Sequence, residues 1–193
     1  MPDKPDLPIH AFPSRAELIA WLAEHGGASQ GIRIKFAKKH TGLATVSKPE
    51  AIDAALCVGW IDGQQQPYDD RFWLVRFTPR RPRSVWSEKN RTRVLELIDE
   101  GRMTPAGMAQ VELARSDGRW DRAYAPASTI TVPDDLRRAL DADPAAAAFF
   151  ASLDGANRYA VLYRVHDAKK PETRARRIAR FVAMLGKGER LHP

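Results

Sequence analysis

Three indoles, a group of acidic side chains and a run of arginines lie close together between residues 56 and 86 of this 193-residue chain. Guanidinium groups hold carboxylates or phosphates through paired hydrogen bonds, and indole rings stack on flat rings and on guanidinium groups. The segment therefore predicts a pocket for a small anionic or aromatic ligand, in which the arginines hold the anion, the tryptophans stack and the aspartates orient the arginines. The predicted ligand-binding residues are Trp60, Asp62, Tyr68, Asp69, Trp73, Arg76, Arg80, Arg83 and Trp86.

The same segment allows two other interpretations. In the first, the tryptophans are core anchors of a small sheet and the arginines pair with nearby carboxylates, as in many structural ion-pair networks. In the second, the protein is an enzyme that uses Asp62, Asp69 or Asp70 as an acid or base. Adjacent residues of an extended strand point to opposite faces, so Asp69 and Asp70 could not both address one bond. The sequence favours binding over catalysis and leaves the question of an enzyme open.

A second basic region lies near the C-terminus. Residues 158–190 contain ten Lys and Arg against three Asp and Glu, within a formal net charge of +7. Such a surface attracts phosphate backbones, which makes nonspecific nucleic-acid binding the alternative function. Its predicted residues are Arg174, Arg176, Arg177 and Arg180. A solvated amphipathic helix has the same pattern.

No metal or cofactor is predicted. The five histidines are scattered, with none at helical spacing from another, and no glycine-rich loop matches a dinucleotide or phosphate-binding pattern. The single cysteine, Cys57, has no partner for an intramolecular disulfide and is predicted to be a buried structural thiol in the middle of a helix. Together with the lack of a secretory signal or an apolar membrane span, it predicts a cytoplasmic protein. The oligomeric state is not predicted.

The pattern of apolar residues and helix caps predicts an α+β, helix-rich fold with a small antiparallel β-sheet in the N-terminal half and a C-terminal helical bundle. Prolines make residues 1–13 an extended lead-in, and strands are predicted at 32–37, 60–63 and 71–77, the last two joined as a hairpin by the loop QQQPYDD. Capping boxes at Ser14 and Ser47 begin two helices, and six more follow after residue 86. The predicted domains are 14–125 and 130–193, packed as one unit.

Four sequence blocks carry a family resemblance: AALCVGWIDGQ, RFWLVRFTPRRPRSVWS, GRMTPAG and ANRYAVLYRVHDAKKPETRARRIARFVAMLGKGERLHP. Together they resemble the YdeI/OmpD-associated family, also called OmdA-like or bacteriocin-protection proteins, from about Ser14 to Pro193. The resemblance implies a link to envelope or antimicrobial-peptide stress, and it marks WIDG and FTPRRPRSVW as signature positions. It supplies no catalytic residues. Part of the family is described as periplasmic, which differs from the cytoplasmic location expected for this chain.

Overall fold

The fold was analysed in a computed structural model, which describes residues 7–193. The first six residues of the predicted lead-in lie outside the described residues. In chain order the strands and helices are β1 Ile9–Ala11, α1 Arg15–His25, β2 Ile32–Ala37, a short 3-10 helix Lys39–Thr41, α2 Lys48–Cys57, β3 Trp60–Pro67, β4 Phe72–Pro79, α3 Glu88–Asp99, α4 Pro105–Ser116, α5 Asp134–Asp141, α6 Pro144–Ser152, α7 Gly155–His166 and α8 Pro171–Gly186. The predicted α+β fold class is confirmed, with the sheet in the N-terminal half and helices in the C-terminal half.

The helices of the N-terminal half begin where their capping residues predict. The Ser14 hydroxyl accepts the N–H of Glu17, and Ser47 forms a complete capping box with Glu50. Thr104 caps α4 in the same way through the N–H of Gly107. These short-range hydrogen bonds satisfy N–H groups that have no partner within the helix, so they fix the start of each helix locally.

The sheet has the strand order β1-β2-β4-β3 and is mixed. Strand β4 pairs antiparallel with both β2 and β3, as the predicted hairpin requires, whereas β1 adds a parallel edge strand that the sequence did not indicate. The hairpin loop is shorter than predicted, because residues 64–67 continue strand β3 and residues 68–71 make the turn. A register irregularity between Asp62 and Gln65 marks a β-bulge in β3.

The two faces of the sheet differ sharply in chemistry. One face packs on α1 and α2 and forms the core of the N-terminal half, with the buried side chains Ile32, Ile34, Phe36, Trp60, Val75 and Phe77. Because side chains alternate along a strand, the residues between these point to the other side. We call that side the distal face; its strand residues are Ile9, Ala11, Arg33, Lys35, Ala37, Ile61, Gln66, Phe72, Leu74, Arg76 and Thr78.

The chain divides into two compact units. The first contains the residues up to Trp86 together with Asn90–Arg122, and the second contains Ser87–Lys89 together with Ala123–Pro193. The second unit has its own core, in which α5 to α8 bury Leu136, Leu140, Phe150, Val161, Leu162, Val165, Ile178, Phe181 and Leu185. The predicted domains 14–125 and 130–193 stay a prediction.

In the first unit, the end of α2 meets the start of α4. The carbonyl oxygen of Cys57 accepts hydrogen bonds from the backbone N–H and the hydroxyl of Thr104, at 3.0 and 2.8 Å. A side chain at Gly107 would collide with this same carbonyl, so the close approach of the two helices requires glycine there. Cys57 is the last residue of α2, which corrects its predicted position in the middle of a helix.

An ion-pair network connects α2 to α3. Arg93 donates two hydrogen bonds to the carboxylate of Asp53, at 2.8 and 2.6 Å, and also contacts Glu96 and Glu100. The hydrogen bonds from Arg93 hold the pKa of Asp53 below its ordinary value and raise the pKa of Arg93. Two-pronged charged hydrogen bonds of this kind are both strong and specific in geometry.

We expect Gly107→Ala to destabilise the first unit, since the added methyl group would push α4 away from the end of α2. Overpacking of this kind costs about 1–3 kcal/mol. All five tryptophans belong to the first unit, so denaturant unfolding followed by tryptophan fluorescence reports on it. Gly27→Ala in the same unit is the control, because its added methyl group meets no atom within 4 Å. An unchanged midpoint for Gly107→Ala would contradict the close packing.

We expect Asp53→Asn to lower the free energy of unfolding of the first unit by about 2 kcal/mol near neutral pH, the usual size for hydrogen bonds to a charged group. The Asp53 side chain is only 17% exposed, so solvent weakens the pair little. A carboxyl group with a depressed pKa contributes stability above its unfolded pKa and loses that contribution as the pH falls through its folded pKa. The difference between the two proteins should therefore hold at neutral pH and shrink below pH 3.8. Fluorescence unfolding curves over this range measure it, and an undiminished difference in acid would refute the assignment.

Candidate functional site

The three tryptophans predicted to bind a ligand do not line one accessible pocket. Trp60 is 2% exposed and lies in the core between the sheet and the helices, where its indole N–H donates to the carbonyl oxygen of Gly26. Trp73 is half-buried on the same face of the sheet and stacks on Phe36, with ring centroids 4.8 Å apart. Both indoles therefore act as packing groups of the first unit.

Trp86 lies in a separate cluster after β4. It is 2% exposed, the Arg80 guanidinium lies 3.5 Å from its ring centroid, and Trp120 meets it edge to face at 5.0 Å. Arg80 also donates to the carbonyl oxygen of Val85. This stack of a guanidinium group on an indole is internal to the protein. Arg83 is exposed in the loop that follows β4.

The remaining predicted residues are distributed along the hairpin. Arg76 belongs to the distal face, while Asp62 pairs in register with Phe77 and so points toward the helices. Tyr68 and Asp69 lie in the turn at the far end of the hairpin, and the strand from Asp62 to Pro67 alone extends roughly 15 Å. The predicted residues thus occupy both sides of the sheet and two loops, and they do not line one cavity.

The acidic residues are also not arranged as a catalytic pair. One oxygen of Asp69 accepts the backbone N–H groups of Arg71 and Phe72, at 2.8 and 2.7 Å, which closes the hairpin turn. Desolvation would raise the pKa of Asp69, but these two N–H donors outweigh it and the pKa is lowered. Asp69 is therefore an ionised turn residue, and Asp62 lies at the opposite end of the strand.

Helix α8 keeps only part of its predicted basic surface. Arg174 forms a two-pronged ion pair with Asp135, which raises the pKa of Arg174, and it also donates to the carbonyl oxygen of Val165. Arg177 donates to the carbonyl oxygen of Arg164. Arg176 and Arg180 are exposed. Two of the four predicted arginines thus hold the second unit together.

A cavity of about 200 Å³ lies at the end of α2, where α1 and the residues before α4 meet it. Its walls are mainly aliphatic and come from positions far apart in the chain: Ile19, Leu22, Ala23, Ala54 and Val58. The polar groups on its lining are Arg15, Cys57, Arg102 and Thr104. An apolar cavity with a few polar groups is the usual form of a small-molecule site.

The two arginines of the cavity differ in their surroundings. Arg102 contacts Glu100 at 2.6 Å and Asp53 at 3.6 Å, so its charge is balanced. Arg15 forms no ion pair within residues 7–193, and its Nε atom is buried without a hydrogen-bond partner there. It is also the first residue of α1, where the helix dipole disfavours a cation. Arg15 interacts electrostatically with Glu50 and Asp53 but forms an ion pair with neither.

Cys57 lies on the cavity lining, and the residue is 8% exposed. Burial raises its pKa, so the sulfur is a protonated, weakly reactive thiol at neutral pH. This fits the predicted buried thiol and gives it a place beside the cavity. The side chain therefore forms a small apolar part of the cavity wall, and its sulfur can be alkylated by a thiol reagent.

The sequence contained two signals for this cavity. Arg15 follows the helix cap Ser14 directly, a position at which acidic residues are favoured, so a cation there is unusual. The block GRMTPAG, quoted for the family resemblance, contains both Arg102 and Thr104. The aliphatic residues of the cavity wall could not be predicted together, because they come from two distant parts of the chain.

The described residues form neither a metal cluster nor a membrane-spanning helix. Across residues 7–193, no group of three or more His, Cys, Asp or Glu side chains is placed to hold a metal ion. In the same part of the chain, no helix has the length and apolar character that crossing a membrane requires.

Comparison with protein-family models gave two matches. Residues 10–110, just over half of the chain, match "Domain of unknown function (DUF8412)". Residues 129–188 match "Bacteriocin-protection, YdeI or OmpD-Associated". The family resemblance is thus confirmed through the last of the four quoted blocks, while WIDG and FTPRRPRSVW lie within the other match. Searches of the curated proteins and of the solved structures found no match.

The cavity lies entirely among residues 15–104, within the first of these matches. The chain therefore belongs to the family described as "Domain of unknown function (DUF8412)", and its C-terminal part belongs to the YdeI or OmpD-associated bacteriocin-protection family.

Proposed function

We propose that this protein binds a small organic anion in the cavity at the end of α2. The observation that carries the proposal is the unpaired guanidinium of Arg15 on the edge of a mainly aliphatic cavity. A buried donor on a charged group costs free energy unless something accepts its hydrogen bonds, and a ligand carboxylate would do so. The ligand class is the one predicted from the sequence, but the site is a different one.

The size and charge of the cavity restrict the chemical class of the ligand further. At about 200 Å³ it is smaller than the roughly 300–1,000 Å³ of sites for drug-sized ligands. Of the two arginines on the cavity lining, Arg102 is balanced by Glu100 and Asp53, whereas Arg15 forms no ion pair within the described residues. The ligand is therefore a single carboxylate with a short aliphatic body. The carboxylate lies at Arg15 and the body contacts Ile19, Leu22 and Ala54.

Hexanoate is a suitable probe, and we expect it to raise the melting temperature of the protein, because a ligand bound only by the folded state stabilises that state. Arg15→Gln should weaken hexanoate binding about tenfold or more, the range for loss of a charged hydrogen bond. Hexan-1-ol should bind both proteins equally, since it lacks the charge. Thermal melts followed by tryptophan fluorescence provide the measurement.

The matched control is Arg81→Gln, which removes an exposed arginine from the loop after β4. It should keep the full response to hexanoate. No shift with hexanoate in the native protein, or the same shift in Arg15→Gln, would eliminate the proposal.

Cys57 offers a second, independent test of the same site. Its raised pKa means that iodoacetamide should alkylate it slowly at neutral pH and faster as the pH rises above the usual thiol value of 9.0, where the thiolate forms. Hexanoate in the cavity should slow this reaction by covering the sulfur. Mass spectrometry of the intact protein measures the rate of alkylation. The rate in denatured protein gives the reference value for a fully accessible Cys57. A rate that hexanoate does not change would place the ligand elsewhere.

We further propose that the protein acts in the cytoplasm in a stress response. The location is supported by its free, unpaired thiol, which is typical of reducing compartments. The role is supported by the description of the matched C-terminal family, which names bacteriocin protection. Cell fractionation and the survival of a deletion strain under bacteriocin test the two parts. Recovery of the protein in a periplasmic extract, or unaltered survival, would contradict them.

A further inference from the structure

The four arginines of α8 divide into two pairs with different surroundings. Arg174 and Arg177 are half-buried, and both donate hydrogen bonds to groups of the second unit. Arg176 and Arg180 are exposed, and their side chains form no hydrogen bond or ion pair within residues 7–193. The packing of the second unit therefore uses one pair of guanidinium groups and leaves the other pair in solvent.

The exposed arginines lie in a row along one side of the helix. A helix turns by about 100° and rises by about 1.5 Å per residue, so Arg176 and Arg180 are about 40° apart around the axis and about 6 Å apart along it. Lys187 follows the last residue of α8, is exposed, and continues the same side at about 16 Å from Arg176. We call these three residues the α8 row.

Opposite charge is scarce around the α8 row. Residues 169–187 contain seven Lys and Arg but one acidic residue, Glu172. Glu172 is exposed and lies one helical turn before Arg176, yet the two side chains form no ion pair. Arg176 and Arg180 are four residues apart, and like charges at this spacing destabilise a helix. A bound anion would remove this repulsion.

The surface beside the row is smooth and contains no large apolar side chain. Its exposed residues are Ala175, Ala179 and Ala183, while Phe181, the one aromatic residue of α8, is buried in the core of the second unit. A helix that lies in a membrane surface inserts large apolar side chains, and protein interfaces are centred on aromatic or other large anchors. The exposed side of α8 offers neither, so its attraction for a partner is electrostatic.

We infer that the exposed side of α8 binds the phosphate backbone of double-stranded nucleic acid without reading its sequence. The α8 row would contact phosphates, and Lys169 and Lys170, both exposed just before the helix, would add further contacts. A duplex carries one charge per about 1.7 Å of its axis, roughly twice the density of a single strand or of an extended acidic peptide. The helix also exposes no ring on which the bases of a single strand could stack.

The site belongs to the second unit and shares no residue with the cavity at the end of α2. The test uses a fluorescently labelled duplex of about 20 base pairs, which at about 3.4 Å per pair is longer than the row. We expect the anisotropy to show binding at low salt and a steep loss between about 50 and 200 mM salt.

The double variant Arg176→Gln, Arg180→Gln should weaken binding roughly tenfold or more at low salt and reduce the salt slope by about 1.8, since each phosphate contact to a duplex contributes about 0.9. The matched variant Arg176→Lys, Arg180→Lys keeps both charges and should keep the slope. Lys187→Gln, which changes a residue outside the helix, should reduce the slope by about 0.9. Circular dichroism melts verify the fold of each variant, because the second unit contains no tryptophan.

The control is the double variant Arg81→Gln, Arg83→Gln, which removes two exposed arginines from the loop after β4 in the first unit. It has lost the same charge and should keep the full salt slope. An equal loss of slope in this control would show that net charge, and not the α8 row, determines binding, and so would overturn the inference.

Three other results would also overturn it. They are no binding of the duplex at low salt, an unchanged slope in both the Arg176→Gln, Arg180→Gln variant and Lys187→Gln, and competition by polyglutamate or oligo(dT) that equals competition by unlabelled duplex. None of these experiments involves the cavity, so the inference and the hexanoate proposal fail independently.

Discussion

The carbonyl oxygen of Cys57 connects the helices of the first unit to its cavity. By accepting both donors of Thr104, it joins the C-terminal end of α2 to the N-terminal end of α4, where the opposite poles of the two helix dipoles attract each other. Gly107 allows this contact because it has no side chain to obstruct the carbonyl. Cys57 and Thr104 also line the cavity, so the hydrogen bonds that fix the helices also fix part of the cavity wall.

Five half-buried arginines of this basic protein fall into two groups. Arg93, Arg102 and Arg174 lie against carboxylates and connect helices to one another or to a neighbouring turn. Arg15 and Arg76 have no such partner within the described residues, and each is half-buried. Charge alone does not reveal the difference, because all five have the same side chain. Among these five, the position of the nearest carboxylate separates the arginines that connect structural elements from those without an ion pair.

Local features were predictable from the sequence and non-local ones were not. The caps Ser14, Ser47 and Thr104 and the β3–β4 hairpin depend on contacts within a few residues, and the structure confirms them. Strand β1 was missed because its partner lies more than twenty residues away and prolines surround it. The distribution of the nine predicted ligand-binding residues over both sides of the sheet and two loops is non-local in the same way, since residue types alone do not tell which side of the sheet each side chain occupies.

The two outer strands of the sheet are both short or irregular. Strand β1 has only three residues, and β3 contains a bulge, ends in Pro67 and exposes Gly63, Gln64 and Gln65. Short, irregular or proline-bearing margins are poor templates for a further strand. Both edges of the sheet therefore disfavour pairing with a strand of another molecule.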